Sequence, residues 1–128
     1  MSTSTPLQIL VIDDDISMRH LATTIFHSNN FTTISAPSAV EALEILKTTK
    51  PDLILTDLMM PELSGYEFIS IVREDAELKH IPIILMTSHS DPEDVAEGYN
   101  KHKVEYYLPK PFTSQQLLAG IRLVLGNS

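Results

Sequence analysis

The sequence predicts an α/β fold, a parallel sheet of five strands with helices on both faces. Two observations carry this expectation. Short apolar runs rich in Ile, Leu and Val end abruptly in polar residues, and runs of that length read as strands buried on both faces. Between them the apolar period lengthens to that of a helix, usually behind a serine, threonine or aspartate suited to an N-cap. Regular β–α alternation implies parallel strands joined by right-handed crossovers. The 128 residues are enough for one domain with a substantial core.

The elements follow in order. Residues 1–7 read as a short polar tail. Gln8–Ile12 is the first buried strand, and Asp13-Asp14-Asp15 follows it. From Ser17, Met18, Leu21, Ala22 and Ile25 fall on one face of a helix that Ser28-Asn29-Asn30 stops. Phe31–Ala36 mixes β-branched and aromatic residues with polar ones and reads as an edge strand. Ser38-Ala39-Val40-Glu41 is a capping-box signature for a helix to about Thr48. Lys50-Pro51 ends that segment, and the run Leu53–Leu55 leads into Asp57. Ser64-Gly65-Tyr66-Glu67 caps a third helix with Phe68, Ile69 and Val72 on its apolar stripe. Pro82–Met86 is a fourth strand ending in Thr87-Ser88, and Asp91-Pro92 opens a fourth helix through Val95 and Ala96. Gly98 and Asn100 predict that this helix is short or irregular toward its end. Val104–Leu108 is a fifth strand ending in Pro109-Lys110-Pro111. Thr113 and Gln116 form the last capping box, for a helix bearing Leu117, Leu118, Ile121 and Val124 that stops at Gly126.

Bulk properties narrow the function. A net charge of −8 argues against nucleic acid or an anionic membrane as partner, since both are polyanions. The absence of cysteine excludes disulfides, thiolate catalysis and Cys-ligated metals. The first six residues carry no basic region and no apolar signal core, and no apolar run approaches a membrane span. A single cytoplasmic domain over residues 1–128 is the expectation. The five histidines show no metal-ligand spacing.

All strands of a parallel sheet end at one edge, which is where ligands bind in open α/β sheets. The strand ends collect Asp13, Asp14, Asp57, Thr87, Ser88 and Lys110. Singly, each has a structural explanation: Asp15 as a helix cap, Thr87 as a turn cap, Lys110 as a solvated charge. Together they suit phosphoryl transfer. Clustered carboxylates repel one another unless a cation lies between them, and Mg²⁺ favours such oxygen donors. Asp13 and Asp14 would hold the metal, leaving Asp57 as a nucleophile able to form an acyl phosphate. Lys110 and the Thr87 hydroxyl would meet the phosphoryl oxygens.

The ordered set Ile9-Leu10-Val11-Ile12-Asp13-Asp14, Asp57-Leu58-Met59-Met60-Pro61 with Gly65, Thr87-Ser88, and Lys110-Pro111-Phe112 resembles the receiver domain of two-component response regulators, of the chemotaxis-regulator type. The resemblance covers about residues 7–125. It implies a flavodoxin-like (βα)5 fold with strand order 2-1-3-4-5. It implies Asp57 as phosphoacceptor. Asp13 and Asp57 would bind Mg²⁺ (or Mn²⁺) directly, Asp14 through water, and the Met59 backbone carbonyl would be another ligand. Thr87 and Lys110 would contact the phosphoryl group. Tyr107 matches the aromatic that repacks when the threonine is drawn toward the phosphate, with Tyr106 on the opposite sheet face. The Lys110-Pro111 bond would be cis. The implied partners are a sensor histidine kinase or histidine phosphotransfer protein as donor, and a downstream protein. The implied behaviour is a single-domain response regulator, not a turnover enzyme. One departure stands out: Lys103-Val104 replaces the Gly-Ala common before the fifth strand.

Three other readings compete. Asp13-Asp14-Asp15-Ile16-Ser17 also fits the Asp-x-Asp-x-Thr-like pattern of haloacid-dehalogenase-type phosphatases, with Asp13 as nucleophile. Those enzymes need an acidic pair after the lysine, and residues 111–128 contain no acid. A flavin site would need a Ser/Thr/Gly-rich loop where three carboxylates stand. The third is a receiver-shaped interaction module that is never phosphorylated.

Overall fold

The computed structural model describes residues 6–58, 62–87 and 104–126. Within them lie five strands, β1 (Gln8–Ile12), β2 (Thr32–Ala36), β3 (Leu53–Asp57), β4 (Ile83–Thr87) and β5 (Tyr106–Pro109). Four helices accompany them: α1 (Ile16–Ser28), α2 (Ala39–Leu46), α3 (Gly65–Glu74) and α4 (Ser114–Leu125). The strands form one parallel sheet in the order β2-β1-β3-β4-β5, as the resemblance implies. The helix expected from Asp91, and with it the expectation of its irregular end, lies outside the described residues. So do Met59 and Ser88.

The central strands β1, β3 and β4 are apolar on both faces because both faces are covered. Leu10, Ile12, Ile54, Ile83 and Leu85 pack with Ala39, Ala42 and Leu46 of α2 and Phe68, Ile69 and Val72 of α3. Ile9, Val11, Leu53, Leu55, Ile84 and Met86 pack on the other side with Ala22 and Phe26 of α1 and Leu117 and Ile121 of α4. β2 is an edge strand, as its mixed polarity predicts.

Local chemistry sets most of the helix starts. Asp15 caps α1, its carboxylate accepting from the Ser17 N–H at 2.9 Å. Ser38 caps α2 by accepting from the Glu41 N–H. Ser64 with Glu67, and Thr113 with Gln116, form complete capping boxes at α3 and α4. Gly126 follows α4 at φ +88°, a conformation that a side chain would strain.

Two local readings need correction. Leu21 does not share the buried stripe of α1; it is 44% exposed, while Ala22 and Phe26 are fully buried. Phe26 takes a place on the buried face instead, with Met18 and Ile25 packed beside it, and meets Phe31 edge-on with ring centroids 5.8 Å apart. β5 begins at Tyr106 instead of Val104. The Glu105 carboxylate accepts the Ile83 N–H at 2.7 Å, so a side chain occupies the donor that strand pairing would otherwise use. The same oxygen pairs with Arg73 at 2.8 Å, and Val104 remains buried in the core.

Candidate functional site

The carboxyl edge of the sheet gathers Asp13, Asp14, Asp57, Thr87 and Lys110. Asp13 directly follows β1, and its N–H donates to the Ala36 carbonyl of β2. Asp57 is the last residue of β3, paired in register with Met86, and Thr87 is the last of β4, paired with Pro109. Lys110 follows β5, and its N–H donates to the Thr87 carbonyl at 2.8 Å. The Lys110-Pro111 bond is cis, as the resemblance implies. Asp13 and Thr87 have no exposed surface and Asp57 is 7% exposed, whereas Asp14 faces solvent.

Buried carboxylates need partners. The Asp13 carboxylate accepts from the Asp15 N–H and from the Lys110 ammonium, both at 2.9 Å. The same ammonium lies 3.4 Å from the Asp57 carboxylate. Burial by itself lowers the Lys110 pKa. The hydrogen bond to Asp13 and the charges of Asp57 and Asp13 outweigh it, so the net shift is upward from 10.5. Lys110 is therefore a fixed cation at neutral pH. Asp13, Asp14 and Asp57 each place a carboxylate oxygen within 4.8 Å of the others. A donor set made only of anionic oxygens matches a hard cation such as Mg²⁺ and not a soft one.

Gly65 sets how closely α3 approaches this edge. A Cβ there would lie 2.6 Å from the Asp57 carbonyl oxygen and 2.9 Å from the Leu58 Cα. Its N–H donates to the Leu58 carbonyl at 2.9 Å. Tyr107 is buried in the core on the α2–α3 face, while Tyr106 packs on the α1–α4 face over Gly120, as strand alternation predicts. One contact has no counterpart in the sequence reading. The Arg19 guanidinium donates to the Asp13 carbonyl at 2.7 Å. The only sequence signal for it is a cation at the start of a helix that follows three acids, against the helix dipole.

Residues 9–122 match the family described as Response regulator receiver domain. The chain belongs to this family. The receiver domain is 39% identical over 118 residues to "Probable transcriptional regulator ycf27" of Porphyridium aerugineum, covering 92% of this chain and 48% of that protein. It is 31% identical to "Phosphate regulon transcriptional regulatory protein PhoB" of Klebsiella pneumoniae, covering 92% of this chain and 51% of that one. The chain thus spans about half the length of these curated relatives. Among solved structures, Vibrio cholerae chemotaxis protein CheY4 superposes with a TM-score of 0.89 at 30% identity, covering 94% of this chain and 99% of that one. Among the described residues no helix is long and apolar enough to cross a membrane.

Proposed function

We propose that this receiver domain accepts a phosphoryl group on Asp57 from the phosphohistidine of a sensor histidine kinase or histidine phosphotransfer protein. The observation that carries the reading is one cluster: a nearly buried Asp57 carboxylate beside the Lys110 ammonium and within 4.8 Å of Asp13 and Asp14 oxygens. An Asp57 oxygen bonds to phosphorus as the phosphorus–nitrogen bond breaks, and the imidazole nitrogen leaves with the bonding pair. Lys110, held by Asp13, keeps a positive charge beside the acceptor oxygen, where it would meet the negative charge of the incoming phosphoryl oxygens. The Thr87 hydroxyl would donate to a phosphoryl oxygen. Asp13, Asp14, Asp57 and the Met59 carbonyl would hold Mg²⁺ or Mn²⁺, which when bound supplies further neutralisation of phosphoryl oxygens.

The phosphoryl group adds about 1.5 to 2 negative charges at the end of β3. Thr87 and Tyr107 would relay that change to a protein-binding surface, making the domain a regulator and not a turnover enzyme. The excess of acidic residues supports a protein partner and not nucleic acid for this domain itself. The phosphatase alternative gives Asp57 no role, although Asp57 sits inside the cluster.

The test is incubation with Mg²⁺ and acetyl phosphate, followed by intact mass. One phosphoryl group should be gained by wild type and none by Asp57→Asn. An Asp57→Asn protein phosphorylated to the wild-type extent would sink the assignment.

A further inference from the structure

Every polar group of Asp13 in the structure has a partner. Its N–H donates to the Ala36 carbonyl, one carboxylate oxygen accepts from the Asp15 N–H, and the other accepts from Lys110. Its carbonyl accepts from Arg19, six residues on, at 2.7 Å. The carbonyl bond is the unusual one. It brings a cation back over the N-terminal end of α1, where the helix dipole disfavours positive charge and where the first turn holds no acid. It also fixes the peptide plane that follows Asp13, and so the turn leading to Asp14. Three carboxylate oxygens within 4.8 Å repel one another, and a turn free to rotate would let them separate.

We infer that Arg19 is a positioning residue for the acid pocket: by holding the Asp13 carbonyl, it keeps the Asp13 and Asp14 carboxylates where a divalent cation is received. This rests on the metal-dependent reading above. Arg19 donates to the Asp13 carbonyl and not to a carboxylate of the pocket; it acts through the main chain of Asp13.

The sign of the effect separates this from simple electrostatics. A guanidinium near a cation site repels the cation, so its removal by charge alone would tighten Mg²⁺ binding. Loss of positioning weakens it. The measurement is the Mg²⁺ dissociation constant of wild type, Arg19→Met and Arg19→Lys, by amide chemical-shift titration at fixed ionic strength. Arg19→Met should bind about tenfold more weakly, as removal of a supporting partner around metal ligands commonly does. Arg19→Lys, which keeps one charged donor, should recover binding to within about threefold. At saturating Mg²⁺ the acetyl phosphate reaction of Arg19→Met should stay within about threefold of wild type, placing the loss in metal affinity. A purely structural role would lower the thermal midpoint and leave the folded protein's affinity unchanged.

Equal or tighter Mg²⁺ binding by Arg19→Met would overturn the inference, and so would equal weakening in both variants. Should Arg19→Met fail to fold, Arg19→Gln takes its place in the same comparison. If wild type itself neither bound Mg²⁺ nor took phosphate on Asp57, the proposed function would fall and this inference with it. Wild type that does both, beside an unchanged Arg19→Met, would remove Arg19 alone.

Discussion

Gly65→Ala tests how tightly the α3 start is seated on the site. The added methyl would lie 2.6 Å from the Asp57 carbonyl oxygen, about 0.8 Å inside the 3.4 Å at which ordinary contact begins, and 2.9 Å from the Leu58 Cα. Both obstacles are main chain, so no side chain can swing aside. Their positions are also tied: the Leu58 N–H donates to the Met86 carbonyl at 3.1 Å, and the Thr56 hydroxyl to the Asp57 carbonyl at 3.1 Å. Overpacking of this kind costs about 1–3 kcal/mol, and the upper end applies to unyielding backbone. Alanine's better helix propensity returns at most about 1 kcal/mol. The net loss is about 2 kcal/mol, or a fall in unfolding midpoint of about 6–12 °C for a domain of this size. Gly120→Ala is the control. Its methyl would meet only ring atoms of Tyr106, at 2.9 and 3.0 Å, and a half-buried side chain can give way where main chain cannot. The propensity gain then offsets the crowding, and the midpoint should move by less than about 3 °C. Thermal unfolding by far-UV circular dichroism decides between them. A Gly65→Ala midpoint equal to wild type, or an equal loss in Gly120→Ala, would refute the steric argument.

Other outcomes are expected. Mg²⁺ at ten times its dissociation constant should stabilise the fold by about 1.4 kcal/mol, a rise of about 4–8 °C over EDTA at fixed ionic strength. Exposed Asp14 adds repulsion, so Asp14→Asn should raise the EDTA midpoint and shrink the Mg²⁺ increment. Asp13→Asn should lower the EDTA midpoint, because it breaks the buried bond to Lys110; equal Mg²⁺ increments in all three proteins would exclude these acids as the metal site. Glu62 holds φ +70°, so Glu62→Gly should relieve about 0.5–1 kcal/mol and raise the midpoint by about 2–5 °C; an unchanged or lower value would mean that the loop is not strained there. The raised Lys110 pKa means that its contribution is complete below pH 10.5 and is lost as pH rises through the higher folded value. In EDTA, the stability difference between wild type and Lys110→Met should therefore be flat from neutral pH to about 10.5 and narrow above it; a gap that narrows as pH falls from 10.5 toward neutrality would contradict the sign.

Much of the architecture was legible locally. The apolar runs at Ile9–Ile12, Leu53–Leu55 and Ile83–Met86 and the caps Ser64–Glu67 and Thr113–Gln116 act within a few residues, and each stands where the sequence places it. The sequence also determined the membership of the acid cluster, because parallel strands carry their end residues to a common edge whatever their exact register. The tertiary structure alone decided how those residues are partnered. Lys110 meets Asp13 more closely than Asp57, Asp13 is pinned where Asp14 is exposed, and Arg19 reaches back to the Asp13 carbonyl. It also decided that Glu105 replaces a strand bond and that Phe26, not Leu21, joins the buried core on the α1–α4 face. Periodicity and capping are short-range consequences of backbone geometry. Partner choice instead depends on ångström-scale distances between segments as far apart as Asp13 and Lys110, and these are set only when sheet twist, register and helix packing are satisfied at once.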